Sequence, residues 1–198
     1  MKRDASRIDA IAIGASAGGI EAIGMLLQAL PSPFVPAILV VLHVPPDRPS
    51  AVPQLFGVKC RLPVREALDK EPIEPGTVYI APPDYHMLVE PECLLSLSKD
   101  APVAFSRPSI DVTFESAAHA YRERLLGIVL TGANSDGASG LATIRREGGR
   151  AWVQRPEEAL ANAMPAAAIE QAGADLILSL ADMAQRLAHL RSGRLVAI

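Results

Sequence analysis

The sequence predicts an α/β protein: a doubly wound, mostly parallel sheet with helices on both faces and a β-hairpin or meander on one edge. Three observations predict it. Short apolar runs without strict alternation recur along the chain, as strands buried on both faces require. Between them lie stretches with apolar residues at three- and four-residue spacing, the pattern of crossover helices. The middle of the chain breaks this rhythm with short β-like pieces separated by proline and glycine turns. The 198 residues suit one domain spanning the whole chain. A chain of this length buries roughly 70% of its unfolded surface and needs no disulfide or metal staple to fold.

The elements follow in order. Residues 8–13 form an apolar strand that runs into Gly14. Residues 18–30 carry Ile20, Ile23, Leu26, Leu27 and Leu30 on a helical face, and Pro31 and Pro33 stop it. Residues 37–42 are a second buried strand, ending at His43, and 51–56 read as a short helix around Pro53. Residues 62–67, 77–81, 86–89 and 94–97 are the β-like pieces, with Pro72, Pro75-Gly76, Pro82-Pro83-Asp84 and Pro91 between them. The βα alternation then returns. Helices are expected over 110–122, 138–147, 157–160, 165–172 and 182–191, and strands over 125–130, 151–154 and 176–180. Pro165 sits at a helix start, where proline is tolerated, and Gly148-Gly149 closes the helix over 138–147.

Composition excludes several function classes. The net charge is −3 and the basic residues are scattered, whereas nucleic-acid binding needs a basic footprint. Arg122, Arg124, Arg145 and Arg146 read as solvated helix faces. Cys60 and Cys93 are the only cysteines and have no metal or redox spacing. The amino-terminal residues are charged and lack a signal-peptide core. The most apolar run, 36–42, is far too short to span a bilayer. These features point to a cytoplasmic protein. Aromatics are 4% of the chain, so the core is aliphatic.

In parallel sheets, ligands bind beyond the carboxyl ends of the strands. Three strand ends carry chemistry. The first runs into Gly14-Ala15-Ser16-Ala17-Gly18-Gly19, the second into His43, and the strand before Thr131 into Thr131-Gly132-Ala133-Asn134-Ser135-Asp136-Gly137. Small residues around Ser16 allow a sharp strand-to-helix turn that exposes the hydroxyl beside backbone N–H groups. Those amides and the positive helix end can stabilise an oxyanion. A serine needs a base, which His43 supplies, and Asp136 orients the imidazole. The same glycine-rich turn admits a nucleotide reading, but Ser16 replaces the middle glycine of G-x-G-x-x-G and His43 stands where an acidic residue is expected. An ordinary α/β-hydrolase runs Ser, Asp, His in chain order, unlike Ser16, His43, Asp136. His119 and His189 fall within helices and read as surface residues.

These residues resemble a known family, the catalytic domain of the chemotaxis protein-glutamate methylesterases (the CheB family). Ile13-Gly14-Ala15-Ser16-Ala17-Gly18-Gly19 is similar to its I-G-A-S-T-G-G turn, and Leu42-His43-Val44-Pro45-Pro46 to its Q-H-M-P-P segment. Val78-Tyr79-Ile80-Ala81-Pro82 with His86-Met87, Arg107-Pro108-Ser109-Ile110-Asp111-Val112, Leu130-Thr131-Gly132 with Asp136-Gly137-Ala138, and Met164-Pro165 match further motifs in the family's order. The resemblance covers nearly the whole chain. It implies Ser16 as nucleophile, His43 as base and acid, and Asp136 as orienting carboxylate. The implied reaction is hydrolysis of glutamate γ-methyl esters on the cytoplasmic helices of a methyl-accepting chemoreceptor, with glutamine deamidation in some members. No metal or organic cofactor is implied.

Weaker expectations concern the surroundings. Ala17 and Ala133 offer backbone amides to an oxyanion hole, and His86 and Arg107 are candidates for the substrate cleft. Ser109 reads equally as a helix N-cap, and Asp111 and Glu115 as complements to a helix dipole. Ala17 replaces the family's Thr, and Ala133-Asn134 its Met-Gly, which implies a reshaped pocket wall. A catalytically weak module that docks a receptor or signalling partner is the competing reading. Typical members carry an amino-terminal receiver domain. The first strand begins within the opening residues here, so the expectation is constitutive activity or control by a separate partner.

Overall fold

In the computed structural model, residues 7–43 and 51–194 are described. The Val44-Pro45-Pro46 part of the second motif and the charged amino terminus lie outside them.

Strand β1 (Ala10–Ala15) and strand β2 (Ala37–Leu42) are buried along their whole length, as their unbroken apolar sequences require. Seven parallel strands form the main sheet. With β3 (Val64–Glu66), β4 (Val78–Ile80), β7 (Leu125–Val129), β8 (Arg150–Gln154) and β9 (Leu176–Leu178), the order is β3-β4-β2-β1-β7-β8-β9. The chain winds outward from β1 through β2, then returns to the other side of β1 at β7. The strand order therefore reverses between β1 and β7, the crevice where doubly wound sheets bind ligands.

Side chains alternate across the sheet and divide the core in two. On one face Ile11, Ile13, Ile38 and Val40 pack with Ile23, Leu26 and Leu27 of α1 (Gly19–Ala29) and with Met183 and Leu187 of α6 (Leu180–His189). The short helix α2 (Val52–Gly57) adds Val52 and Phe56 to this face. On the other face Ala10, Ala12, Leu39 and Val41 meet α3 (Ile110–Tyr121), α4 (Ala138–Arg146) and α5 (Ala163–Ala172). Alanines at β1 let α3 lie close to the sheet. Each large aliphatic side chain buried here contributes about 1.5–3 kcal/mol.

The hairpin expected from the middle of the chain is present. Strands β5 (His86–Val89) and β6 (Leu95–Ser98) pair antiparallel as a separate two-stranded sheet. It is pinned to α3, where Thr113 Oγ1 donates to the Met87 carbonyl at 2.7 Å and Ser116 Oγ accepts from the Val89 amide at 3.1 Å. The other two β-like pieces, β3 and β4, join the main sheet as parallel strands, β3 at its edge and β4 between β3 and β2. Short length hid this, since three-residue strands show no periodicity that separates parallel from hairpin pairing. The short helix expected over 157–160 is a 3₁₀ turn at Pro156–Glu158.

Candidate active site

Parallel register brings the functional segments together. Ala15 pairs with Leu42 and Gly14 with Val129, so Ser16, His43 and the 131–137 loop leave the sheet at one edge. Backbone bonds fasten these exits: the His43 amide donates to the Ala15 carbonyl at 3.1 Å, and the Ser16 amide to the Thr131 carbonyl at 2.9 Å. Gly18 precedes α1 with φ of +78°, a left-handed conformation open to glycine. A Cβ there would lie 2.9 Å from Leu160 and 3.2 Å from Thr131. Gly137, at φ +97°, abuts Ile110 at the start of α3.

His43 and Asp136 form a pair across β1. The imidazole Nε2 lies 2.9 Å from Asp136 Oδ2. An ionised carboxylate only accepts, so Nε2 carries the proton and Nδ1 holds the free lone pair. The ring is thus used in the opposite sense to the common triad, where Nδ1 bonds the acid. Asp136 is almost fully buried and accepts three more bonds: from Ser109 Oγ at 2.9 Å, the Ile110 amide at 2.7 Å and the Asp111 amide at 3.0 Å. Burial pushes its carboxyl pKa up, but the His43 bond, the two helix-start amides and the Ser109 hydroxyl outweigh it, and the net shift is downward. Asp136 stays ionised beside the imidazole at neutral pH.

Asp111 reciprocates. Its Oδ1 accepts from the Gly137 amide at 2.9 Å and the Gly140 amide at 2.7 Å. It therefore complements the dipole of α4, not of its own helix. Gly140 permits the close crossing: a Cβ there would lie 2.5 Å from Phe114 Cβ and 3.0 Å from the Asp111 backbone. Burial raises the Asp111 carboxyl to about 6, the Gly140 amide opposes that rise, and the Asp136 charge adds to it.

Ser16 is half-buried at the turn, and its hydroxyl makes no hydrogen bond among the described residues. Ser106 Oγ lies 3.5 Å from His43 Nδ1. Ala17 and Ala133 are both exposed beside Ser16, and neither amide is taken by a partner among the described residues. Thr131 Oγ1 donates to the Ala17 carbonyl at 2.8 Å, and Gln154 Oε1 accepts from the Thr131 amide at 2.9 Å. These bonds tie the two loops together.

Two expected cleft residues have their polar groups engaged within the fold. His86 is buried, with 1% of its surface exposed. Its Nδ1 accepts from the Ser109 amide at 3.1 Å and its Nε2 meets the Ala101 carbonyl at 3.2 Å. It supports the start of α3 from behind because it begins a strand packed on that helix. Arg107 is spent internally: Nε and Nη2 bond Asp84 at 3.0 and 2.5 Å, and Nη1 donates to the carbonyls of Lys99 and Asp100. Ser109 is the N-cap of α3, accepting from the Val112 amide while donating to Asp136. Glu115, His119 and His189 are exposed. Sequence reasoning missed Ser106 and the cross-capping role of Asp111, though both stand beside the Arg107-Pro108-Ser109 motif.

Among the described residues no cluster of three His, Cys, Asp or Glu side chains has a metal-binding arrangement, and no helix is long and apolar enough to cross a membrane. A cavity of about 200 Å³ lies at the opposite, amino ends of the strands. Its polar lining includes Arg7, Asp9, Tyr121 and Arg124, of which Asp9 is ion-paired to both arginines.

Fold and site together define the class: a doubly wound α/β protein with a serine, a histidine and an aspartate converging at its topological switch. The family model described as CheB methylesterase matches residues 11–187, and the chain belongs to that family. It is 43% identical to a putative protein-glutamate methylesterase/protein-glutamine glutaminase of Leptospira interrogans, over 94% of this chain and 97% of the relative. It is 40% identical to protein-glutamate methylesterase/protein-glutamine glutaminase 3 of Burkholderia lata, covering 89% of this chain but 49% of that protein. The crystal structure of the Thermotoga maritima CheB methylesterase catalytic domain superposes with a TM-score of 0.87 at 31% identity, covering 92% of this chain and 98% of that one.

Proposed function

We propose that this protein is a serine-type carboxylic-ester hydrolase that removes methyl groups from glutamate γ-esters on chemoreceptor helices in the cytoplasm. The observation that carries the proposal is the 2.9 Å bond between His43 Nε2 and buried Asp136, set beside Ser16 at the switch point. The activity for which the relatives are named supports the same substrate class.

In this mechanism Ser16 Oγ attacks the ester carbonyl carbon as its proton passes to His43 Nδ1. A rotation of the Ser16 side chain toward Nδ1, in place of Ser106, engages the pair. The carbonyl electron pair moves onto oxygen, and the oxyanion is met by the amides of Ala17 and Ala133. Asp136 stabilises the imidazolium without taking its proton. His43 then protonates the methoxy oxygen as the carbon–oxygen bond breaks, and methanol leaves. Water attacks the acyl-enzyme, passes a proton to His43, and frees glutamate and the Ser16 hydroxyl. Glutamine deamidation follows the same path with ammonia as leaving group.

The test is methanol release from methylated receptor by the wild type, Ser16→Ala and His43→Ala. The expected loss is at least about 10³-fold in kcat for each variant. Equal release by all three proteins defeats the triad assignment. Receptor binding without any release by the wild type favours the docking-module reading.

A further inference from the structure

Phe105 is the most exposed large apolar residue of the described chain, at 104% of its reference surface. The other three phenylalanines, Phe34, Phe56 and Phe114, are buried. Phe105 stands at the tip of a two-residue turn. Val103 and Ser106 exchange backbone bonds of 3.1 and 2.9 Å, while Ala104 and Phe105 take φ of +48° and +61°. Such a turn favours glycine or asparagine at both positions, so this one is strained and displays an aromatic ring that adds nothing to the core. Strain of this kind persists where neighbours over-determine the geometry. Here Arg107 supplies the anchor through Asp84 and the carbonyls of Lys99 and Asp100. The turn also sits at the site, because Ser106 is the residue facing His43 Nδ1.

A second exposed apolar residue lies on the serine side. Leu160 is 82% exposed, and its side chain rests on Gly18, two residues beyond Ser16. The residue after it is locked to the Ser16 loop: the Ala161 amide donates to Thr131 Oγ1, which donates to the Ala17 carbonyl. Ile20, in the first turn of α1, is 41% exposed on the same edge of the sheet. Isolated exposed apolar side chains are ordinary. Two that flank one reactive edge, each on a segment fastened to the proposed catalytic residues, are placed to contact whatever carries the ester.

We propose that Phe105 and Leu160 are docking anchors for the substrate helix, gripping apolar side chains one turn before and one turn after the target glutamate. The inference rests on the methylesterase reading given above. On a helix, the neighbours of a glutamate at three- and four-residue spacing share its face, so a helix presenting its ester to Ser16 and His43 also presents those neighbours to the two flanks. A rigid aromatic suits such an anchor, since it buries much area with little rotamer entropy to lose.

The experiment compares two substrates: methylated receptor, followed by methanol release, and p-nitrophenyl acetate, an ester too small to reach the anchors. Phe105→Ala and Leu160→Ala are expected to lower kcat/KM for methylated receptor about 10- to 100-fold each, through KM. Turnover of the small ester is expected to stay within two-fold of wild type, and Phe105→Leu to recover most of the receptor activity. Unchanged receptor kinetics in both alanine variants overturn the docking role while leaving the methylesterase reading intact. An equal fall on both substrates also overturns it, because the residues then support the site and not the partner. A wild type that cleaves the small ester but releases no methanol overturns both readings.

Discussion

The starts of α3 and α4 are built alike, yet they shift their two carboxylates in opposite directions. Each helix begins beneath a carboxylate supplied by the other: Asp136 receives the Ile110 and Asp111 amides of α3, and Asp111 receives the Gly137 and Gly140 amides of α4. Burial opposes ionisation at both. Asp136 has two side-chain donors as well, His43 and Ser109, and its pKa falls. Asp111 has only backbone donors and faces the charge of Asp136, and its pKa rises to about 6. Two aspartates on helix N-termini therefore serve different ends. Helix-end amides alone do not offset burial at Asp111, whereas two further donors favour the charge of Asp136, the residue bonded to the His43 imidazole.

Removing the imidazole's partner is the largest way to break this contrast. Asp136→Asn keeps the shape but loses the charge, and kcat for methanol release should fall about 10³- to 10⁴-fold with far-UV circular dichroism unchanged. Next comes the partner clamp. Asp111→Ala removes both acceptor bonds to the α4 start, and kcat should drop about 10- to 100-fold at nearly constant KM. Asp111→Asn, whose amide oxygen can accept the same bonds, should stay within a few-fold of wild type.

The raised Asp111 pKa makes a smaller, pH-dependent difference. The folded state holds its proton more tightly than the unfolded state, so this group's contribution declines as pH rises from about 4 through about 6. Urea unfolding of wild type and Asp111→Asn should show the variant gaining relative stability across that window, with a plateau above it. A flat difference would mean that Asp111 titrates normally. Asp136 has the opposite sign: its contribution is present above the ordinary carboxylate range and is lost as pH falls through its depressed value. The smallest effect belongs to Ser109→Ala, which loses an N-cap and one bond to Asp136 and should cost about 1 kcal/mol in denaturant melts.

Much of the candidate site is legible in the sequence alone. Ser16, His43 and Asp136 each follow a buried-type strand, and parallel strands deliver their carboxyl ends to one edge. Their convergence needed only the alternation of elements. His86 was not readable in this way. It starts a strand, but nothing local says that the hairpin lies on α3, which buries the ring and engages both nitrogens. Arg107 is a cleft candidate in the sequence, and nothing local shows that the Lys99–Asp100 segment and Asp84 fold back around it. The position of Asp111 in the sequence suggests a complement to its own helix, while its acceptor bonds run to the neighbouring one.

Local pattern was sufficient for strand and helix identity, for the doubly wound class and for the three residues at the strand ends, because side-chain periodicity and turn chemistry act over a few positions. Charge state and partnership were settled only by the assembled molecule. His43 and Asp136 are 93 positions apart and bond at 2.9 Å, while Ser106, 63 positions from His43, faces its other nitrogen at 3.5 Å. Hydrogen bonds and desolvation act over a few ångströms. They depend on which helix starts the crossover connections bring side by side, and that placement is a property of the packed chain.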